Sequence, residues 1–222
     1  MTLLYIASTI EDGPMKTLQG DGPTAITNRQ AFLRKNDIDP ANATLLQLTY
    51  GGGDYCRYQI IVESLKGDGI VRESTIDADA VIVTETNHAI LLPLADCIGA
   101  VIHDPAQNIL MVSHLGRHNL EQQGGTKCIE YLVEHHSSNP KNLTVWLSPA
   151  AGQDNYPLYA FDHRGMHDVA TEQLVTAGIN PRHITASPVD TTTDLRYFSH
   201  SQFLAGKQGT DGRFCIVATM EH

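Results

Sequence analysis

With 222 residues the chain is long enough to bury a substantial core as one domain over residues 1–222, and its 41% hydrophobic and 18% charged residues exclude an intrinsically disordered chain. Twenty-five acidic against fifteen basic residues give a net charge of -10, with no Lys/Arg run that would track phosphates, which argues against nucleic acid or an anionic membrane as partner. The opening MTLLYIASTIEDGP has no basic leader, and no later stretch approaches the roughly 20 apolar residues of a membrane span, so a cytoplasmic protein is expected.

Leu3 to Ser8 reads as an opening strand, followed by a Gly/Asp/Pro-rich loop from Glu11 to Pro23. NRQAFLRKNDI, after Thr27, predicts an amphipathic helix closed by Asp39-Pro40. Ala43 to Leu48 is a short apolar strand that runs into Tyr50 and three glycines, Gly51 to Gly53, a run that permits a sharp turn or the close approach of a ligand. Tyr58 to Val62 continues as strand. Ala80 to Val83, Ala89 to Leu94, Ile98 to Ile102 and Ile109 to Val112 are apolar runs divided by turn residues, the pattern of buried strands. At His114 the period changes to a helical one, with Leu120, Cys128, Ile129 and Leu132 on one stripe as far as Ser137. Leu143 to Leu147 is a further strand, Val169 to Ala177 a helix stopped by Gly178, and Phe214 to Thr219 a last strand. Strands and helices do not alternate as βαβ units, so the expected class is α+β, a mixed β-sheet flanked by helices.

Four separated cysteines, Cys56, Cys97, Cys128 and Cys215, form no C-x-x-C pair and suggest no disulfide framework. Among eleven histidines, most stand in polar surroundings where a solvated ring is the default. Asp96-Cys97 lies between two apolar strands, where a carboxylate beside a thiol must be paired or face a cleft. His114 closes the next strand. Each alone reads as a structural residue, but a Cys and a His at the ends of neighbouring antiparallel strands can meet, and together make either a zinc site or an activated nucleophile.

The run DADAVIVTE, LLPLADC, NILMVSHLGRHNL, NLTVWLSPAAG, YFSH and TDGRFCIVATM, preceded by ASTIEDGP, NRQAFLRKNDI and LQLTYGGG, resembles in order and spacing the bacterial laccase-like polyphenol oxidases, also called purine nucleoside phosphorylases. The resemblance covers nearly the whole chain. It implies a zinc or copper ion held by the histidine of a Q-x-H-G turn, the cysteine of ADC and the histidine of HAGWRG, positions that fall on Tyr50, Cys97 and His114. Asp96 would orient a group or accept a proton. Tyr50 replaces a histidine, and a neutral phenol is a poor zinc ligand, so the metal is expected to bind weakly. His118, where the family has an arginine, is either a substitute ligand or a solvated side chain.

The segment before YFSH lacks the family's Cys-Thr pair, with Val189 and Thr191 to Thr193 instead. Ser201 and Gln202 replace two arginines, and Gly152 to Tyr159 is short, so a more open pocket is expected. By this resemblance the chain is a zinc-dependent phosphorylase or deaminase of purine nucleosides, with phosphate as second substrate. A diphenol-oxidising copper activity fits less well, since one Cys/His site is not a multicopper cluster. Two other readings remain: a Cys97–His114 amidase acting on a cell-wall precursor, and a catalytically decayed relative that binds a ligand or partner.

Overall fold

Between Ala80 and Leu115 every strand residue is buried and most are apolar, and that stretch folds into four strands of two stacked sheets. The computed structural model describes residues 2–17 and 22–221. Its elements in chain order are β1 (Thr2–Ala7), α1 (Pro23–Lys35), β2 (Ala43–Leu45), β3 (Tyr58–Ile60), β4 (Ala80–Val83), β5 (Ala89–Leu94), β6 (Ile98–Asp104) and β7 (Ile109–Leu115). There follow α2 (Arg117–Glu121), α3 (Gly124–His136), β8 (Thr144–Leu147), α4 (Met166–Thr176), β9 (Ile184–Ala186), α5 (His200–Leu204) and β10 (Phe214–Glu221), with short 3-10 turns between.

The expected mixed β-sheet core is present as two sheets, each of them mixed. One has four strands in the order β1-β10-β5-β2, the other six in the order β3-β4-β7-β6-β8-β9. β2 with β5, β3 with β4 and β8 with β9 run parallel, and the remaining pairs are antiparallel. The period-2 alternation of side chains sorts one strand's residues into two cores. Val81, Val101 and Val112 of the larger sheet meet Ile90, Leu92 and Ile216 of the smaller one. On the outer face of the larger sheet, Ile82, Ile102 and Met111 pack against Cys128, Leu132 and Leu174 of α3 and α4. On the outer face of the smaller sheet, Leu45, Leu91 and Val217 pack against Phe32 and Leu33 of α1. The architecture is therefore α+β in four layers, helix, sheet, sheet, helix. At Gly99 the sheets approach so closely that a Cβ would stand 2.4 Å from Ile216 Cδ1.

Several boundaries differ from the sequence expectation. α1 begins at Pro23, ahead of the expected start after Thr27, because proline fits the first turn, where its missing N–H is not needed. The loop expected over Glu11 to Pro23 includes residues 18–21, which lie outside the described residues. The long helix expected after His114 is two helices, broken at Gln123, whose φ is 64°. Buried Gln173 of α4 bridges that break, accepting from Gly125 N at 2.9 Å and donating to Leu120 O at 2.8 Å, which satisfies the groups the break leaves unpaired. β9 and α5 were not expected. Among the described residues no helix is long and apolar enough to cross a membrane.

Candidate functional site

The turn joining β5 to β6 carries Asp96 and Cys97. Asp96 has a φ of 77°, a left-handed conformation that Asp tolerates better than most residues. Its carboxylate holds the turn in place. Oδ1 accepts from Thr191 Oγ1 at 3.1 Å, Oδ2 from the backbone N–H of Ser201 at 2.7 Å, and its carbonyl from Ala151 N at 2.8 Å. These bonds give Asp96 a positioning place, clamped between three segments, beside the role as proton acceptor expected of it. They also occupy two of the segments that depart from the family pattern, Thr191 and Ser201.

β6 and β7 pair so that Gly99 faces His114 and Ile98 faces Leu115, which leaves Cys97 opposite Gly116. A Cβ added at Gly116 would stand 2.8 Å from Cys97 Sγ and 3.0 Å from His114 Nε2. Thiol and imidazole are thus separated by no more than the sum of those distances, and glycine is required between them because any side chain would intrude. His114 is 3% exposed and hydrogen-bonds Asn119, and its backbone N–H donates to Asp79 O at 2.8 Å. Burial pushes its pKa down to about 4, against smaller opposing effects of Asp79 and Asn119. Burial pushes the Cys97 thiol up to about 12, with Asp96 adding to the shift, while Arg213, Arg117 and the Arg117 backbone N–H oppose it. Both groups are neutral at pH 7, the reverse of the thiolate–imidazolium pair a cysteine nucleophile uses.

Tyr50 comes from a different part of the chain, the loop between β2 and β3, and meets this pair edge-on, its ring centroid 6.5 Å from that of His114 at 84°. α2 holds the loop. Gln122 Oε1 accepts from Tyr55 N at 2.9 Å, Gln122 Nε2 donates to Gly53 O at 2.7 Å, and Asn119 Nδ2 donates to Tyr55 O. At the far end Arg57 pairs with Asp79 and Asp77, each at 2.8 Å. The pocket walls push the Tyr50 phenol up, and the Cys97 sulfur adds to this, although solvent tempers the effect because the side chain is 65% exposed.

Together these residues line a cavity of about 460 Å³, within the usual range of small-molecule sites. Its wall also includes Tyr156, Arg117, His200, Arg213 and Lys16. Tyr156 and Lys16 escaped the sequence reading, since a single tyrosine in a loop and a lysine far upstream carry no local signal. The short segment from Gly152 does not remove the pocket. It brings Tyr156 into its wall, Tyr156 N donating to Gly152 O at 3.0 Å. His118 lines the cavity too, but its ring stacks on Tyr55 with centroids 4.8 Å apart, Nδ1 lies 3.6 Å from Glu121 Oε2 and Nε2 3.4 Å from Arg117 Nη2.

The donor set decides how well a metal fits. Cys97 and His114 are good zinc or copper donors, but Tyr50 offers a protonated phenol and both nitrogens of His118 face other side chains. Among the described residues no group of three or more His, Cys, Asp or Glu is placed to hold an ion. A tightly held catalytic zinc takes three protein ligands, so this set does not fit one.

The family model described as multi-copper polyphenol oxidoreductase laccase matches residues 15–168. A Streptomyces coelicolor protein named purine nucleoside phosphorylase is 28% identical over 102 residues, 46% of this chain and only 38% of that relative's length. The fold is similar to that of the hypothetical protein YfiH of Bacillus licheniformis, with a TM-score of 0.85 at 18% identity, covering 99% of this chain and 93% of that one. It is also similar to YlmD of Geobacillus stearothermophilus, with a TM-score of 0.82 at 16% identity, covering 99% and 91%. The matched residues take in β2 to β8, Tyr50, Cys97 and His114, that is, the strands and loops that build the pocket, and on that match the chain belongs to the multi-copper polyphenol oxidoreductase laccase family.

Proposed function

We propose that the chain acts on a purine nucleoside in the pocket around Cys97 and His114, by phosphorolysis of the glycosidic bond. The observation that carries this reading is the composition of the cavity, in which aromatic side chains for a planar base (Tyr50 and Tyr156) stand with cationic ones for phosphate (Arg117 and Arg213). The name of the Streptomyces coelicolor relative supports the same chemistry. In that reaction a phosphate oxygen bonds to C1′ of the ribose, the C1′–N9 bond breaks, and its electron pair leaves with the base, which takes up a proton. Arg117 and Arg213 hold the phosphate charge and Tyr50 the base, while Asp96 keeps the Cys97 turn in place. Where a zinc or copper ion binds, Cys97 and His114 are the residues that hold it.

Incubation of the full chain with inosine or adenosine, with and without phosphate, tests the proposal by chromatography of bases and nucleosides. Free base formed only with phosphate is the expected result, and inosine formed from adenosine would mark deamination instead. If neither nucleoside changes, the enzymatic reading fails. The incomplete donor set favours one second reading, a relative that keeps the pocket for binding but has lost turnover. Binding of nucleoside without conversion would select it. The Cys97–His114 amidase has less support, because burial keeps the thiol protonated and the imidazole neutral.

A further inference from the structure

Tyr50 stands where the family resemblance calls for a metal-binding histidine, yet its surroundings are those of a ring surface. Its side chain is 65% exposed although it lines a concave cavity, so a large aromatic face is left for something other than the protein to cover. It belongs to a series of rings made of His114 and His118 of the pocket wall and of Tyr55. Its centroid lies 6.4 Å from that of Tyr55, which stacks on His118 at 4.8 Å and 20°, and it meets His114 at 6.5 Å and 84°. Arg117, whose Nη2 is 3.4 Å from His118 Nε2, ends the series on the same wall. The loop is braced for such a role. Asn119 of α2 and Gln122 just after it grip Gly53 and Tyr55, and Arg57 fixes the other end, so a ligand seated on Tyr50 meets a surface already in place.

We infer that Tyr50 is the aromatic wall on which a planar heteroaromatic ligand stacks, and that this pocket takes that ligand without a resident metal ion. The replacement of an imidazole by a phenol then exchanges one function for another. A ligand position is lost, and a sequence-tolerant π surface is gained beside the cationic end of the cavity. Stacking on one aromatic side chain changes affinity by roughly tenfold to a hundredfold. The inference rests on the proposed nucleoside reading for the identity of the planar group, and it goes beyond that reading in requiring no metal for binding.

Calorimetric titration of the full chain with inosine and adenosine tests it, for the wild type, Tyr50→Phe, Tyr50→Ala and Tyr50→His, each dialysed against EDTA or supplied with one equivalent of zinc. Wild type and Tyr50→Phe are expected to bind equally well in EDTA, because the ring is kept, and Tyr50→Ala roughly tenfold to a hundredfold more weakly. Tyr50→His is expected to gain zinc that survives gel filtration and to lose affinity for the nucleoside in EDTA. Since Tyr50 is exposed, these substitutions leave the core packing alone. Binding by the wild type only when zinc is supplied, or Tyr50→Phe as weak as Tyr50→Ala, would overturn this inference while leaving the nucleoside reading in place. Absence of binding by the wild type in either state would overturn both.

Discussion

Cys97 and His114 stand at the ends of strands in which every residue of β5, β6 and β7 is buried, whereas Tyr50, across the same cavity, stands on a loop whose glycines 51–53 have nothing within 4 Å of a would-be Cβ. The first wall is held by sheet register and close packing, so its geometry follows from two cores that cannot shift without loss of buried area. The second is held by hydrogen bonds from Asn119 and Gln122 and by the ion pairs of Arg57 with exposed Asp77 and buried Asp79, that is, by separate polar contacts rather than by a packed core. The packed wall carries Cys97 and His114. The tethered wall carries Tyr50, at the position where the resemblance implies a histidine.

That contrast can be broken most severely at Asp96. Asp96→Ala leaves the Ser201 N–H and the Thr191 hydroxyl without their acceptor and puts alanine at a φ of 77°, so a loss of about 4 kcal/mol is expected in urea unfolding. A loss below about 1 kcal/mol would mean that the turn is held by something other than this carboxylate.

Next comes acid sensitivity on the sheet side. His88, fully buried ahead of β5, shares the Thr44 hydroxyl at 2.7 Å, and that hydroxyl already donates to Leu65 O, so His88 Nε2 carries the proton it gives to Thr44. Nδ1 is left as the site to be protonated, 3.9 Å from Glu85 Oε2, with Glu63 and Lys66 also acting on the ring. Burial and Lys66 push the folded pKa down to about 4, against an opposing effect of Glu63, while the unfolded chain takes up the proton near its ordinary 6.5. The unfolded state therefore binds more protons between those values. Stability is full above pH 6.5 and falls as pH drops toward 4, by up to about 3 kcal/mol from this residue. His88→Gln should flatten that part of the profile in thermal melts from pH 7 to 4. An unchanged slope would assign the effect elsewhere.

The sharpest comparison of the two walls uses the smallest change on each. Gly116→Ala drives a methyl group into Cys97 Sγ and the His114 ring at a φ of -100°, which alanine otherwise adopts freely, so about 2 kcal/mol should be lost by steric intrusion alone. Gly52→Ala meets nothing and should stay within about 0.5 kcal/mol of the parent. Equal effects at the two glycines would refute the division into a packed and a tethered wall.

How much of this was legible beforehand follows the same division. β4 and β5 begin and end where their apolar runs do, because a strand buried on both faces favours apolar residues throughout and its limits are then marked by composition. β9 and α5 are short and partly exposed, with no periodic stripe to mark them. The break at Gln123 was hidden because Leu120, Cys128 and Leu132 keep a plausible helical stripe across it, and the side chain that satisfies the break, Gln173, is distant in sequence. For the site, Cys97 and His114 were recognisable from their places at the ends of two successive strands. Tyr50 was recognisable only by resemblance, as the Tyr-Gly-Gly-Gly turn in the slot of another turn.

The amino-acid sequence by itself determined most of the strand runs, their order and the α+β class, and marked Cys97 and His114 as candidates at strand ends, because each depends on local period and on neighbours along the chain. Only the tertiary structure decided that β10 lies between β1 and β5, that two sheets rather than one enclose the core, and that Tyr50, Tyr156, Arg117 and Arg213 share a cavity with Cys97. Those outcomes rest on which apolar faces cover each other across long stretches of chain, and hydrophobic burial, being non-directional, writes no partner into the segment that is buried.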